Sequence, residues 1–325
     1  MSTDSIAIPN IDERRASRDG LADRLFHRIV ACAGIFVLLM LASVALMTLW
    51  GGREAFSTFG FKFLTSSDWD SVGKQFGALA PVYGTLVTAA IALVIAVPVS
   101  FGIALYLTEI APAWLRAPVA SAIELLAGIP SIIYGMWGLF VFVPIMGRHV
   151  IPWLNDHLGE WPLIGPLFKG PPLGIGMLTA GIVLSIMVIP FISSVMREVF
   201  LTVPTRLKES AYALGSTTWE VAWDIVLPYT RTAVIGGIFL GLGRALGETM
   251  AVTFVLGNVH RLSLSLLEPG NSIAATIANE FAEADSDIFR SSLIALAFLL
   301  FVVTFIVLAI ARLMLRRIEK REGKA

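Results

Sequence analysis

The sequence predicts an all-α, polytopic membrane protein, and three observations carry that reading. Of its 325 residues, 56% are hydrophobic and 15% charged, where a soluble globular domain has about 45–50% apolar and about 25% charged residues. The apolar residues gather into six stretches, each near the roughly 20 residues that a helix needs to cross about 30 Å of hydrocarbon. The cations fall unevenly on the two sets of links between those stretches, as expected when Lys and Arg collect on the cytoplasmic side.

The first span is expected at Ile29–Trp50, after a charged tail at 1–28. It has no small-residue cleavage site at its end, so it reads as a retained span and not as a signal peptide. The next five are expected at Val82–Leu107, Pro118–Val143, Leu173–Phe200, Tyr229–Leu256 and Ser291–Leu315, which makes a transmembrane domain over 29–315 with a short tail at 316–325. Pro98, Pro130 and Pro190 fall inside spans, where neighbouring helices can satisfy the backbone groups that a proline frees. The N-terminal tail, the links after the second and fourth spans and the C-terminal tail hold sixteen Lys and Arg residues, against seven on the other side. This places both termini in the cytoplasm.

Three long links face the opposite side: 51–81, 144–172 and 257–290. The second is rich in Pro and Gly, which fits either a plain connector or a stiff docking loop. In the third, apolar residues from Ser272 to Phe281 recur at helical spacing, which predicts a short helix. Lys plus Arg and Asp plus Glu are both 24, so no basic footprint for nucleic acid exists. Cys32 is the single cysteine and cannot make an internal disulfide; His27, His149, His157 and His260 lack ligand spacing, so no metal site is expected. Their dispersal also argues against a membrane enzyme, and no catalytic residue is assigned.

The link from Met196 to Pro228 is longer than two antiparallel helices require. Pro204 and Thr205 can start a helix, and Gly215 can end it. Ser216 or Thr217 can cap a second helix, with Glu220 completing a capping box, and Pro228 is expected to stop it. Helix, glycine corner and helix form an elbow over 204–228. Within it, Glu209-Ser210-Ala211, then Gly215, then Ile225-Val226-Leu227-Pro228 resembles the E-A-A, G, I-x-L-P signature of the membrane subunits of binding-protein-dependent ABC importers, with Ser210 departing from the signature alanine. The resemblance covers about residues 79–315 and implies a type I ABC importer permease fold. It further implies that Glu209, Ser210, Ala211, Gly215, Leu227 and Pro228 belong to a coupling helix region seated on a cytoplasmic ATPase. A nucleotide-binding G-x-x-x-x-G-K-[S/T] motif is missing around both Gly-Lys pairs, at 73–74 and 323–324. ATP and Mg are therefore expected on a partner chain, and this chain is expected to need no cofactor of its own.

Charges inside spans are costly and usually functional. Here they are Glu124, Arg244 and Glu248. Arg244 and Glu248 are four residues apart, which on a continuous helix puts them on one face. One reading is a buried ion pair that fixes helix register. The other is that Arg244 meets an anion in transit, since its fork of donors matches an oxyanion, while Glu248 holds Arg244 or exchanges it with the substrate. Thr249, Thr253 and Ser131 are hydroxyls that can line the route. Glycines crowd the same stretch, with G-x-x-x-G spacings at 237/241 and 243/247 that suit close helix packing and leave room for a small solute.

The stretches Gly241-Leu-Gly-Arg-Ala-Leu-Gly-Glu-Thr-Met-Ala251 and Glu124-Leu-Leu-Ala-Gly-Ile-Pro-Ser-Ile-Ile-Tyr-Gly135 resemble the PstC-type permeases of phosphate importers. That resemblance implies a route for inorganic phosphate past Arg244 and Glu248. It also implies a homologous PstA-type permease partner, two copies of a PstB-type ATPase and an extracytoplasmic PstS-type phosphate-binding protein, all at the inner membrane of a prokaryote. The alternatives are a permease for molybdate or sulfate, or a proton-driven secondary transporter with Glu124 and Glu248 as carriers.

Overall fold

A computed structural model describes the chain from residue 13 to residue 321, with side chains described from 23 to 316. The tails expected at 1–28 and 316–325 therefore lie partly outside the described residues. From Glu13 the chain is already helical, so much of the first tail is the beginning of a helix.

Six helices among the described residues are long and apolar enough to cross a membrane. Helix α1 (Glu13–Gly51) carries the first. Through Trp50 it forms a compact unit by itself, and Cys32, which is exposed, lies on it.

The second unit begins at Gly51. Short helices α2 (Arg53–Phe59) and α3 (Lys62–Thr65) lead to a hairpin of β1 (Trp69–Asp70) and β2 (Gln75–Phe76), a small exception to the all-α expectation. Then come α4 (Leu79–Ile110), α5 (Ala113–Ala127), α6 (Ser131–Leu158) and α7 (Met177–Leu201). The chain continues through α8 (Thr205–Ala213), α9 (Thr218–Leu246), α10 (Met250–Leu256), α11 (Ile273–Glu280) and α12 (Asp287–Arg321). Helix α11 stands where the spacing predicts it, and the Ser272 hydroxyl caps it by accepting from the Ala275 N–H at 3.2 Å.

Helix α7 is the hub. Of its most apolar stretch 61% is buried within the chain, against 22–28% for the other crossing helices of this unit. Facing it, α4 buries Gly84, Thr88, Ala92, Ala96, Ser100 and Ala104 at intervals of four residues, with Thr85 and Ala89 beside them. This stripe of small side chains brings two backbones together where van der Waals packing, and not the hydrophobic effect, must hold helices in lipid. The Ser100 hydroxyl donates to the Ile189 carbonyl, 3.1 Å away, and so ties α4 to α7 beside Pro190. A second cluster of Phe63, Phe76, Phe289, Leu293 and Leu296 packs α3 and the hairpin onto α12. Ser291 ties it further, donating to the Gly51 carbonyl at 2.9 Å and accepting from the Ala55 N–H at 3.2 Å.

Four expectations are corrected. The span expected over Tyr229–Leu256 is broken at Gly247–Thr249. The third span is not one helix over Pro118–Val143: the chain breaks at Gly128–Pro130, with Pro130 extended at ψ 137°. Ile129, preceding a proline, is pushed away from helical geometry. The link expected over 144–172 is helical as far as Leu158. Pro228 does not stop the elbow's second helix, because α9 runs through it to Leu246. The last two share a cause. Turns widened to the i→i+5 pattern occupy Gly138–Phe142, Met146–Val150 and Val221–Val226, each ending two residues before Pro144, Pro152 or Pro228. A proline in a regular helix collides with the carbonyl four residues earlier. At these sites that carbonyl belongs to Phe140, Arg148 or Asp224, inside the widened turn, where the looser winding of a π-bulge makes room.

Candidate functional site

The two stretches carrying the span charges meet where two helices break. Between α5 and α6 the chain turns at Gly128–Pro130; between α9 and α10 it turns at Gly247–Thr249. Helices α6 and α10 then cross in close contact. A Cβ built on Gly135 would lie 2.9 Å from the Met250 carbonyl oxygen and 3.1 Å from the Ala251 Cα, so only glycine lets the backbones approach this far. Tyr134 stitches the first break, its hydroxyl donating to the Leu126 carbonyl at 2.9 Å.

Arg244 sits in the last turn of α9, about 22 Å beyond Tyr229 at 1.5 Å per residue. Its guanidinium lies 5.7 Å from the ring centroid of Phe191 on α7, within cation–π range. The rest of Arg244 is exposed within the chain. Glu248 is not its partner: no ion pair joins them among the described residues, because α9 ends at Leu246 and the four-residue spacing no longer describes one face. The Glu248 carboxylate instead accepts from the Ala251 N–H at 3.2 Å, capping the start of α10. Arg244 thus lies beside one ring, Phe191, and is otherwise exposed within the chain.

The glycines divide into two classes. Added Cβ atoms at Gly237 and Gly241 would fall 2.9 and 2.6 Å from Val195 and Ile192, so this pair seats α9 on α7. At Gly243 and Gly247, on either side of Arg244, an added Cβ would meet only ordinary van der Waals contacts, Leu308 at 3.9 Å and the Gly243 carbonyl oxygen at 3.6 Å.

The other expected route residues lie on the elements that flank the two breaks. Ser131 begins α6 and is half-buried. Thr249 is half-buried in the second break, its carbonyl accepting from the Thr253 hydroxyl at 2.7 Å. Glu124 is exposed on α5 and shares a small cleft with Ser193, Ser194 and Arg197 of α7. That cleft begins two residues from Phe191, towards the 204–228 elbow. A separate cavity of about 270 Å³ beside Tyr134 is lined by Ile129, Ile133, Trp137 and Ile186, an apolar lining unsuited to an oxyanion. Tyr134 and Phe191 are the site residues that sequence reasoning missed. Tyr134 stood inside a quoted motif, and a buried phenol always needs a partner for its hydroxyl; nothing in the sequence marks Phe191.

The elbow follows its local rules up to Pro228. Gly215 adopts φ 94°, and the Ser216 N–H closes back on the Ala211 carbonyl at 3.1 Å. Thr217, not Ser216, is the cap. Its hydroxyl accepts from the Glu220 N–H at 3.3 Å while the Glu220 carboxylate accepts from the Thr217 N–H at 2.7 Å. Glu209 and Ser210 are exposed, whereas Ala211 is buried. Leu214 is 88% exposed and Trp219 63%, which is an uncovered apolar tip. Trp219 and Trp223 stack at 5.5 Å, and Trp223 also meets the edge of Phe101 on α4.

Comparison with known proteins places these features in a family. Residues 96–320 match the family described as the binding-protein-dependent transport system inner membrane component. The Phosphate transport system permease protein PstC of Xylella fastidiosa strain 9a5c is 67% identical, with 95% of each chain covered. That of Mesorhizobium japonicum is 54% identical over 99% of this chain and 100% of its own. A bacterial alginate ABC transporter, solved in complex with an alginate pentasaccharide-bound periplasmic protein, has a chain of like fold. Its TM-score is 0.56 at 17% identity, over 93% of this chain and 98% of that one.

Proposed function

The chain belongs to the binding-protein-dependent ABC importer permeases, and within them to the PstC-type phosphate permeases, and from that premise we propose how it carries inorganic phosphate. Arg244, exposed on one side and backed by Phe191, supplies the donor fork that meets the anion. The observation that carries this reading is its freedom from Glu248. A guanidinium locked to a carboxylate would have to exchange partners for each ion, while one resting on a ring keeps its donors for the substrate. Ser131 and Thr249, at the two breaks, offer hydroxyls along the same route, and Glu124 stands on the elbow side, where a carboxylate discourages the anion from lingering.

The elbow belongs to the cytoplasmic side in this reading, and both termini with it. Its uncovered tip around Leu214, together with Glu209, Ser210 and Gly215, docks into a separate PstB-type ATPase present in two copies. That subunit binds ATP and Mg; this chain performs no chemistry and holds no cofactor. A PstA-type permease covers the open side of Arg244, and a PstS-type binding protein delivers phosphate to the far face.

The test is uptake by vesicles holding the assembled complex. Arg244→Gln should lower phosphate uptake at least a hundredfold while the complex still assembles. Retained uptake removes Arg244 from the route. Uptake of sulfate or molybdate in preference to phosphate reassigns the substrate, and uptake driven by a proton gradient without ATP rejects the importer reading.

A further inference from the structure

The elbow is joined to the rest of the chain in two ways. One is covalent: α9 continues from the elbow to Arg244 without a break. The other is a charge pair. Lys208, in the middle of α8, places its Nζ 2.5 Å from Oε1 of Glu109, in the last turn of α4. Only 15% of the Lys208 side chain and 6% of the Glu109 side chain are exposed. The pair sits in a firm setting: Leu107 and Thr108 are buried beside it, and the Arg116 Nε donates to the Ala111 carbonyl at 2.8 Å, fixing the turn after α4. Among the described residues it is the one ion pair between the elbow and a crossing helix.

We infer that Lys208 and Glu109 form a strut through which movement of the elbow is passed to α4, as positioning residues for transport. The inference rests on the function proposed above and adds a second path for motion. A buried pair at this distance resists separation, because either charge alone would face a poorly solvated space. The two therefore travel together. Helix α4 lies along α7 through its small-residue stripe, and α7 carries Phe191 beneath Arg244. A displacement of α8 thus arrives at Arg244 along α9 and at its ring support along α4 and α7. Movement of both walls opens a route; movement of one only bends a helix.

The experiment compares ATP hydrolysed with phosphate imported, in vesicles holding the complete complex. Glu109→Gln and Lys208→Met should each leave assembly and ATP hydrolysis in place and raise the ATP used per phosphate at least tenfold. The exchanged pair, Glu109→Lys with Lys208→Glu, should return that ratio to within threefold of the unaltered protein. A ratio within twofold of normal in either single variant overturns the strut, and so does a matched loss of hydrolysis and uptake, which is the mark of a mere staple. If the single variants do not assemble, a cross-link decides: with Cys32→Ser, cysteines at 109 and 208 joined by a flexible bis-maleimide should leave uptake within threefold. Loss of uptake on cross-linking shows that the pair must open and overturns the inference. If the unaltered complex itself fails to import phosphate with ATP, the proposed function falls and not the strut alone.

Discussion

The elbow and the paired helix breaks are both interruptions of helix, yet they are built by different forces. At the elbow each interruption is answered within a few residues: Gly215 supplies the corner, Ser216 closes onto Ala211, and Thr217 and Glu220 cap one another. At the breaks the answer comes from far along the chain. Gly135 on α6 is shaped by Met250 and Ala251, more than a hundred residues later, and Arg244 leans on Phe191 of a third helix. In the function proposed, the feature that presses on another protein closes its corner and its cap locally. The feature that opens relies on contacts which several helices share.

That contrast can be broken by substitution. The largest effect is expected at Gly135→Leu, where the new side chain meets backbone on α10 that cannot swing aside. Overpacking of this kind costs about 3 kcal/mol. It should lower the thermal midpoint of the detergent-solubilised protein and disturb cysteine labelling at both breaks together. Labelling changes confined to α6 would show the breaks to be independent. Next comes Gly215→Val, which places a β-branched residue at φ 94° at a cost of about 1–2 kcal/mol. The membrane part should remain folded while co-purification with the ATPase falls about tenfold, and undiminished co-purification would dissociate the corner from docking. The smallest is Thr217→Ala, worth about 1 kcal/mol as a lost cap. Hydrogen exchange should quicken over residues 218–221 and nowhere near Arg244. Faster exchange at the breaks would mean that the elbow is less self-contained than its hydrogen bonds indicate.

The same contrast explains what the sequence disclosed. Thr217, Glu220 and Gly215 could be read because capping and left-handed corners depend on residues a few positions apart. The number of crossing helices was legible for a similar reason, since length and apolarity are local sums. The behaviour of the prolines was not. Pro190 stays in its helix, with the Ser100 hydroxyl on the neighbouring Ile189 carbonyl, whereas Pro130 follows Gly128 into a break. Pro144, Pro152 and Pro228 persist because the preceding turns widen. Nothing in the composition of a proline's neighbours distinguishes these outcomes. Arg244 was found by its charge, but its partner was misread: the four-residue rule assumes a continuous helix, and this one ends at Leu246.

The widened turn before Pro228 has one more consequence. In an ordinary helix a loosened turn can wander, because each amide may trade one carbonyl for the next. Proline has no amide to trade, so it acts as a stop against which the loosened turn rests. The loosened turn is consequently kept at a fixed address, residues 221–226, and the regular helix beyond it runs on to the turn that carries Arg244. Shifting that proline by a single position would shift the loosened turn with it.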